Sequence, residues 1–117
     1  MPEIKTDDLI YFENGLYLPM LIKVLEKDLK SFEKLPFKLN RTYQTKVEKV
    51  LKLIRKDLKT ADIFLVRNNM KVAKWETSAD STTYAFISQG TEDHRKFLNT
   101  EIKTKCEELL YRYFKQE

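Results

Sequence analysis

The sequence predicts a small α+β protein, and three observations support that class. Apolar residues recur every three or four positions over residues 7–34 and 41–67, which is the spacing of amphipathic helices. Residues 70–89 are instead rich in β-branched and aromatic side chains, which favours strands. Helical spacing returns over residues 100–115. A chain of 117 residues has room for one core, so we expect a single domain over residues 1–117.

The first helix contains two residues that disfavour a straight helix. Gly15 costs about 1 kcal/mol relative to alanine in a helix interior. Pro19 removes one backbone hydrogen bond and clashes with the carbonyl group one turn earlier. Because the apolar spacing continues through Pro19, we predict one kinked helix over residues 7–34 rather than two short helices. Residues 35–39 form a connector, and Asn40 is the predicted N-cap of the second helix.

The second helix contains neither glycine nor proline, and its apolar stripe is continuous. Asn68 and Asn69 are expected to end it, because asparagine tolerates the left-handed conformation found after helix C-termini. The stripe consists of Tyr43, Val47, Val50, Leu51, Ile54, Leu58, Ala61 and Leu65.

The segment after the second helix predicts a β-hairpin over residues 70–89. Its two strands are residues 70–77 and 81–88, joined by Ser78-Ala79-Asp80, which has the chemistry of a turn. The alternative is that residues 81–89 are helical, which would make the protein an all-α bundle.

The segment after the hairpin is interpreted as helical. Residues 91–93, Thr-Glu-Asp, have the pattern of a short helix start, and Asn99 is the candidate cap of the C-terminal helix.

Positive charge is concentrated on the second helix. The net charge is +4, yet residues 34–59 alone hold nine basic and two acidic residues. Helical geometry places six of the cations opposite the apolar stripe, and we call this set the basic helix face. It predicts contact with phosphate groups or another polyanion, and a merely solvated helix face is the alternative. The basic helix face consists of Arg41, Lys49, Lys52, Arg55, Lys56 and Lys59.

Two carboxylates occupy apolar positions of the first helix. Glu13 lies among Leu9, Leu16 and Met20, and Asp28 is one turn from Leu25. Because burying a charge is costly unless it is paired, these positions predict a buried polar site. The alternative is that each acid pairs with a basic or tyrosine side chain, or that the kink turns it to the rim.

The sequence contains no motif for catalysis, so we expect a protein that is not an enzyme and needs no cofactor, metal or small-molecule substrate. The single histidine, His94, lies in a polar segment and is predicted to be solvated. The single cysteine, Cys106, has the spacing of a helix core and is predicted to be an inert packed thiol. Trp75 is expected to anchor the hairpin on the helices, and the alternative is that it presents an aromatic side chain for binding.

A membrane partner is not predicted. The longest uncharged apolar stretch, residues 15–22, has eight residues, whereas a membrane span needs about 20. A secretion signal begins with basic residues followed by an apolar stretch, whereas the first residues of this chain include several acids. With a single cysteine excluding an internal disulfide, these features predict a cytoplasmic protein.

Several segments of the sequence resemble one family. Residues 16–20 (Leu-Tyr-Leu-Pro-Met), 23–28 (Lys-Val-Leu-Glu-Lys-Asp) and 36–39 (Pro-Phe-Lys-Leu), followed by Tyr43, are similar to the YhjD-like small proteins of Bacillus-type bacteria. The resemblance extends over most of the chain. It implies a bacterial or phage cytoplasmic origin, and it carries over no activity and no functional residues.

Together these patterns predict a non-catalytic binding or regulatory protein that acts through protein–protein contacts. Self-association through a helix face is one form of this hypothesis. The alternative hypothesis is nucleic-acid binding without sequence preference, through the basic helix face. A third hypothesis is a small enzyme or ligand-binding protein built around Glu13 or Asp28.

Overall fold

A computed structural model describes residues 6–34 and 40–116. It has three helices and three strands, which confirms the α+β class and excludes the all-α alternative for these residues. The elements in chain order are α1 (Thr6–Glu33), α2 (Asn40–Arg67), β1 (Met70–Thr77), β2 (Ser81–Ser88), β3 (Thr91–Leu98) and α3 (Asn99–Lys115).

Helices α1 and α2 form a long antiparallel pair of 28 residues each, or about 42 Å at 1.5 Å per residue. Helix α1 continues through Pro19, as its apolar spacing predicted. The connector predicted over residues 35–39 lies outside the described residues. The packed stripe of α2 is the predicted one except at Tyr43, which is 58% exposed.

One hydrophobic core lies between the two long helices and the end of α3. Leu18 and Leu21 of α1 pack there with Val50 and Ile54 of α2, and Tyr113 closes the cluster from α3. The Tyr113 hydroxyl donates a hydrogen bond of 2.6 Å to Oδ2 of Asp57. The C-terminal helix is thereby held to α2 by both packing and a polar contact.

Helix α2 ends at the predicted asparagine pair. Asn69 adopts a φ of 55°, and the side-chain amide of Asn68 donates a 2.8 Å hydrogen bond to the Phe64 carbonyl. Asn69 is thus in the left-handed conformation typical of a residue that follows a helix. The chain reverses there and enters β1 directly.

The three strands form one antiparallel sheet in the order β1-β2-β3. Strands β1 and β2 have the predicted bounds. The pairing of β1 with β2 is interrupted between Lys74 and Glu76, so Trp75 is an extra residue without a partner on β2. Such a bulge is common on edge strands, where it discourages further strand pairing.

The interpretation of residues 91–93 as a helix start is wrong, because they begin strand β3. Exposure along β3 alternates residue by residue, as in a half-covered strand. Both sets of alternating side chains include charged residues, so the sequence of β3 shows no alternation of apolar and polar residues. The hairpin is therefore part of a three-stranded sheet.

A second core lies between the sheet, the start of α1 and the start of α3. One sheet side, the inner sheet face, supplies Met70, Val72, Tyr84, Phe86 and Phe97 to this core. Phe12 stacks on Phe86 with ring centroids 5.0 Å apart. The helices therefore cover the inner sheet face.

Helix α3 begins one residue earlier than predicted, and Asn99 is its first residue rather than its cap. The Asn99 side chain instead accepts a 3.0 Å hydrogen bond from the Thr82 hydroxyl. The Leu98 N–H is satisfied by Glu101 Oε1 at 3.2 Å. Asn99 therefore ties the helix to β2 and to the turn before it.

Candidate functional site

The basic helix face is fully at the surface. All six of its side chains are exposed. Arg55 lies 3.9 Å from Glu26 of α1, and in residues 6–34 and 40–116 no other member of the set has a carboxylate within 4.0 Å. Five cations on one helix side are thus left to repel one another, or to meet an anionic partner.

The predicted polar site at Glu13 and Asp28 is not formed as a buried pair. Asp28 is exposed, so its predicted burial is wrong, whereas Glu13 is half-buried. Val24 beside Asp28 is also 51% exposed, because α2 and α3 pack on the side of α1 marked by Leu21 and Leu25. Fifteen residues of helix separate the two acids by about 22 Å.

A groove of about 440 Å³ lies between α1, β3 and α3, close to Glu13. Tyr17 lines it together with Glu101 and Glu108. Burial raises the pKa of Tyr17 to about 12, and the carboxylates of Glu13 and Glu101 add to the increase. The phenol hydroxyl is therefore neutral at physiological pH.

Cys106 is half-buried and packs against both cores, in line with the prediction of a packed thiol. Burial raises its pKa, and the nearby Glu107 carboxylate acts in the same direction. A raised pKa lowers the thiolate fraction, which makes a cysteine less nucleophilic. In the part of the chain that the structure describes, no group of three or more His, Cys, Asp or Glu residues could hold a metal ion.

The other side of the sheet is a surface that the sequence analysis missed. Strand pairing places twelve side chains there, and we call this set the outer sheet face. Its hydrophobic members belong to neither of the two cores described above. The outer sheet face consists of Lys71, Ala73, Trp75, Glu76, Ser81, Thr83, Ala85, Ile87, Glu92, His94, Lys96 and Leu98.

Trp75 lies at the centre of the outer sheet face rather than anchoring the hairpin on the helices, so that expectation is wrong. It is 58% exposed, and its ring centroid is 4.4 Å from that of His94. Ala85 of β2 lies between β1 and β3 in the row that includes His94, and its small side chain leaves room for the two rings to meet. His94 is exposed, as predicted, but on a strand.

Four charges surround this aromatic centre. Lys71 and Glu92 occupy the two ends of one row across the sheet, since both pair with Ile87. Glu76 and Lys96 occupy the ends of another row, since both pair with Thr83. All four side chains are exposed. His94 Nε2 lies 3.5 Å from Glu92 Oε2, which adds one close polar contact.

The alternating pattern of β3 is the signal that could have revealed this surface. Glu92, His94 and Lys96 are two residues apart, so a strand must place all three on one side. A helix starting at residues 91–93 would point these side chains in different directions, so that interpretation conceals their alignment with Trp75.

The fold and its surfaces define a small α+β protein in which a long helical pair and a C-terminal helix cover one side of a three-stranded sheet. No helix among the described residues is long and apolar enough to cross a membrane.

The chain belongs to the YhjD protein family, whose pattern it matches over residues 3–117. It is similar to the protein named "Uncharacterized protein YhjD" from Bacillus subtilis (strain 168), with 28% identity over 113 residues. That match covers 97% of this chain and 94% of the relative. No solved structure matches the chain.

Proposed function

We propose that this chain is a non-catalytic binding protein that acts through protein–protein contacts made by the outer sheet face. The observation that supports the proposal is the position of Trp75, more than half exposed at the centre of a sheet side that lies outside both cores. Tryptophan is one of the three side chains enriched among the residues that dominate protein interfaces. A small apolar centre with a charged rim is also the usual arrangement of such surfaces.

The proposal includes a cytoplasmic location. Its support is the single cysteine, which leaves no internal disulfide to be formed in an oxidising compartment.

Site-specific photo-crosslinking in a bacterial host tests the contact surface. A photoreactive benzoylphenylalanine replaces Lys96 on the outer sheet face, and a matched control carries it in place of Lys103 on the exposed side of α3. We expect a covalent protein adduct from position 96 and none from position 103. Adding Trp75→Ala should remove the adduct, since it deletes the central apolar contact.

Equal adducts at both positions, or none at position 96, would contradict the proposal. Far-ultraviolet circular dichroism of the Trp75→Ala variant controls for folding. Because Trp75 is exposed and contributes to neither core, the variant should keep the wild-type spectrum.

The second candidate function is nucleic-acid binding without sequence preference, through the basic helix face. It is supported by the exposure of all six cations, only one of which lies beside a carboxylate of the described residues. Binding of this kind releases counterions, so it should weaken steeply as salt is raised.

Fluorescence anisotropy of labelled DNA and RNA oligomers tests this candidate at low and near-physiological salt. Lys52→Glu with Arg55→Glu should abolish binding, whereas the control Lys27→Glu with Lys103→Glu has the same net charge but leaves the basic helix face intact. The exposed Arg55–Glu26 pair contributes at most about 1 kcal/mol, so its loss should not unfold the protein. Equal binding by both variants would exclude this face as the site.

A further inference from the structure

The four charges of the outer sheet face form a pattern that complements itself. Each edge strand has one lysine and one glutamate on this side, in opposite order: Lys71 then Glu76 along β1, and Glu92 then Lys96 along β3. Edge strands of a three-stranded sheet are about 10 Å apart, and the two rows are about 13 Å apart along the strands. Like charges therefore lie on the diagonals of a rectangle.

We propose that the outer sheet face binds a second copy of this chain, face to face about a two-fold axis. When the axis runs parallel to β2, β1 of one copy lies over β3 of the other. Lys71 then faces Glu92 of the second copy, and Glu76 faces Lys96 of the second copy. A two-fold interface uses one patch twice, so every such contact occurs in duplicate.

The centre of the face fits the same arrangement. Ala73 and Ile87 are half-buried there, Ala85 is fully buried, and the Trp75 ring lies across the face against His94 as its largest exposed apolar group. With the axis parallel to β2, Trp75 of each copy lies over the His94 side of the other. Stacked sheets pack about 10 Å apart, with the side chains of both faces filling the space between them.

Neither edge of the sheet offers a better route to self-association. Strand β1 is interrupted by the bulge at Trp75, and β3 has charged side chains at five successive positions if His94 is included, residues 92–96. Bulges and charges on edge strands are the usual protection against pairing by strand addition. The sheet side, rather than its edge, is thus the surface open to a second copy.

The size of the face predicts weak association. Three strands of eight residues cover about 26 by 14 Å, or about 370 Å² per copy. A standard interface buries about 800 Å² per partner. We therefore expect a reversible dimer with a dissociation constant between about 10 µM and 1 mM.

This inference rests on the proposed function, because it names the partner of the same surface. Charge exchange tests it by sedimentation velocity. Lys71→Glu with Lys96→Glu makes all four corners negative, and Glu76→Lys with Glu92→Lys makes all four positive. Each variant alone should be monomeric where the wild type dimerises, with affinity at least about 10-fold weaker. An equimolar mixture of the two should restore dimers.

The control variant Lys27→Glu with Lys103→Glu has the same net charge as the all-negative variant and should dimerise like the wild type. A monomeric wild type at about 1 mM, the weak limit of the expected affinity, would overturn the inference. So would a mixture that stays monomeric while the wild type dimerises. If the wild type stays monomeric yet position 96 crosslinks to a different protein, self-association fails and the proposed function stands. If the wild type stays monomeric and position 96 crosslinks to nothing, both fail.

Discussion

Gly15 lies where α1 faces both Leu65 of α2 and Val72 of β1. A Cβ atom at this position would lie 3.4 Å from Leu65 Cδ1 and 3.4 Å from Val72 Cγ2, which is ordinary van der Waals contact. Alanine therefore fits, and a larger side chain does not. Gly15 disfavours the helical conformation, yet it is a point of close packing between the helical pair and the sheet.

The first residue-scale prediction concerns this glycine. Gly15→Ala should raise the free energy of unfolding by about 0.5–1 kcal/mol, because alanine loses less backbone entropy in a helix. Gly15→Leu should lower it by about 1–3 kcal/mol through overpacking against Leu65 and Val72. Urea denaturation measures both values. A loss of more than about 1 kcal/mol in the alanine variant would show that the contact has no room for a methyl group.

The second residue-scale prediction concerns the alkaline limit of stability. Burial raises the pKa of Tyr17 to about 12 from its ordinary value of 10.0. Burial and the hydrogen bond to Asp57 likewise raise the pKa of Tyr113. A group whose pKa is higher in the folded state stabilises the fold below its unfolded pKa, and that stability is lost as pH rises. The free energy of unfolding should therefore fall between pH about 10 and 12.

Urea denaturation at several pH values over that window measures the decline. The Tyr17→Phe variant should lose stability less steeply, because it lacks one of the phenols whose pKa burial raises, the others being Tyr84 and Tyr113. It should match the wild type near neutral pH, since the described residues provide no hydrogen bond to the Tyr17 hydroxyl. An equally steep decline in the variant would show that Tyr17 ionises at its ordinary pKa.

Single side chains were the hardest features to predict from the sequence. Asp28 lies one turn from the buried Leu25, yet it is exposed because the neighbouring helices pack on another side of α1. Trp75 is exposed because a bulge in β1 and a small residue in β2 let it lie over His94. Both outcomes depend on neighbours that are distant in sequence.

At the scale of elements, strong periodicity decided what the sequence could predict. In helix α2 and in strands β1 and β2 the apolar residues follow the spacing of one type of element. The bounds of these three elements agree with the prediction to within one residue. Strand β3 was missed because both of its sides include charged residues, although Phe97 contributes to the second core. Without β3 the outer sheet face has no recognisable pattern.

The connection between β2 and β3 provides the element-scale prediction. Gln89 and Gly90 form a two-residue loop with φ values of 49° and 82°, as in a type I′ turn. Gly90→Ala should lower the free energy of unfolding by about 1 kcal/mol, because a left-handed conformation is costly for alanine. A Cβ at Gly90 would meet no atom within 4 Å, so the cost is purely conformational.

Gln89→Asn is the matched stabilising change, because Asn-Gly is the preferred sequence of this turn. It should raise the midpoint of thermal unfolding, whereas Gly90→Ala should lower it. The two midpoints are measured by circular dichroism at the helical band. An unchanged midpoint in Gly90→Ala would mean that the loop adopts another conformation in solution.

At the scale of the whole molecule, the chain is elongated. Its radius of gyration is 16.2 Å and its extents are 57 by 32 by 19 Å, whereas a compact domain of this length has a radius near 13 Å. The helical pair sets the long axis, and the sheet lies against one part of it. The basic helix face and the outer sheet face belong to different elements, so each can be altered without touching the other.

Self-association through the outer sheet face is the central claim, and concentration-dependent NMR tests it most directly. Backbone amide spectra of the 15N-labelled chain are recorded from dilute conditions to about 1 mM, the weak limit expected for an interface of this size. The account predicts progressive shifts at Lys71, Trp75, Ala85, His94 and Lys96, and none along the basic helix face. Spectra that do not change with concentration, or shifts confined to α2, would contradict it.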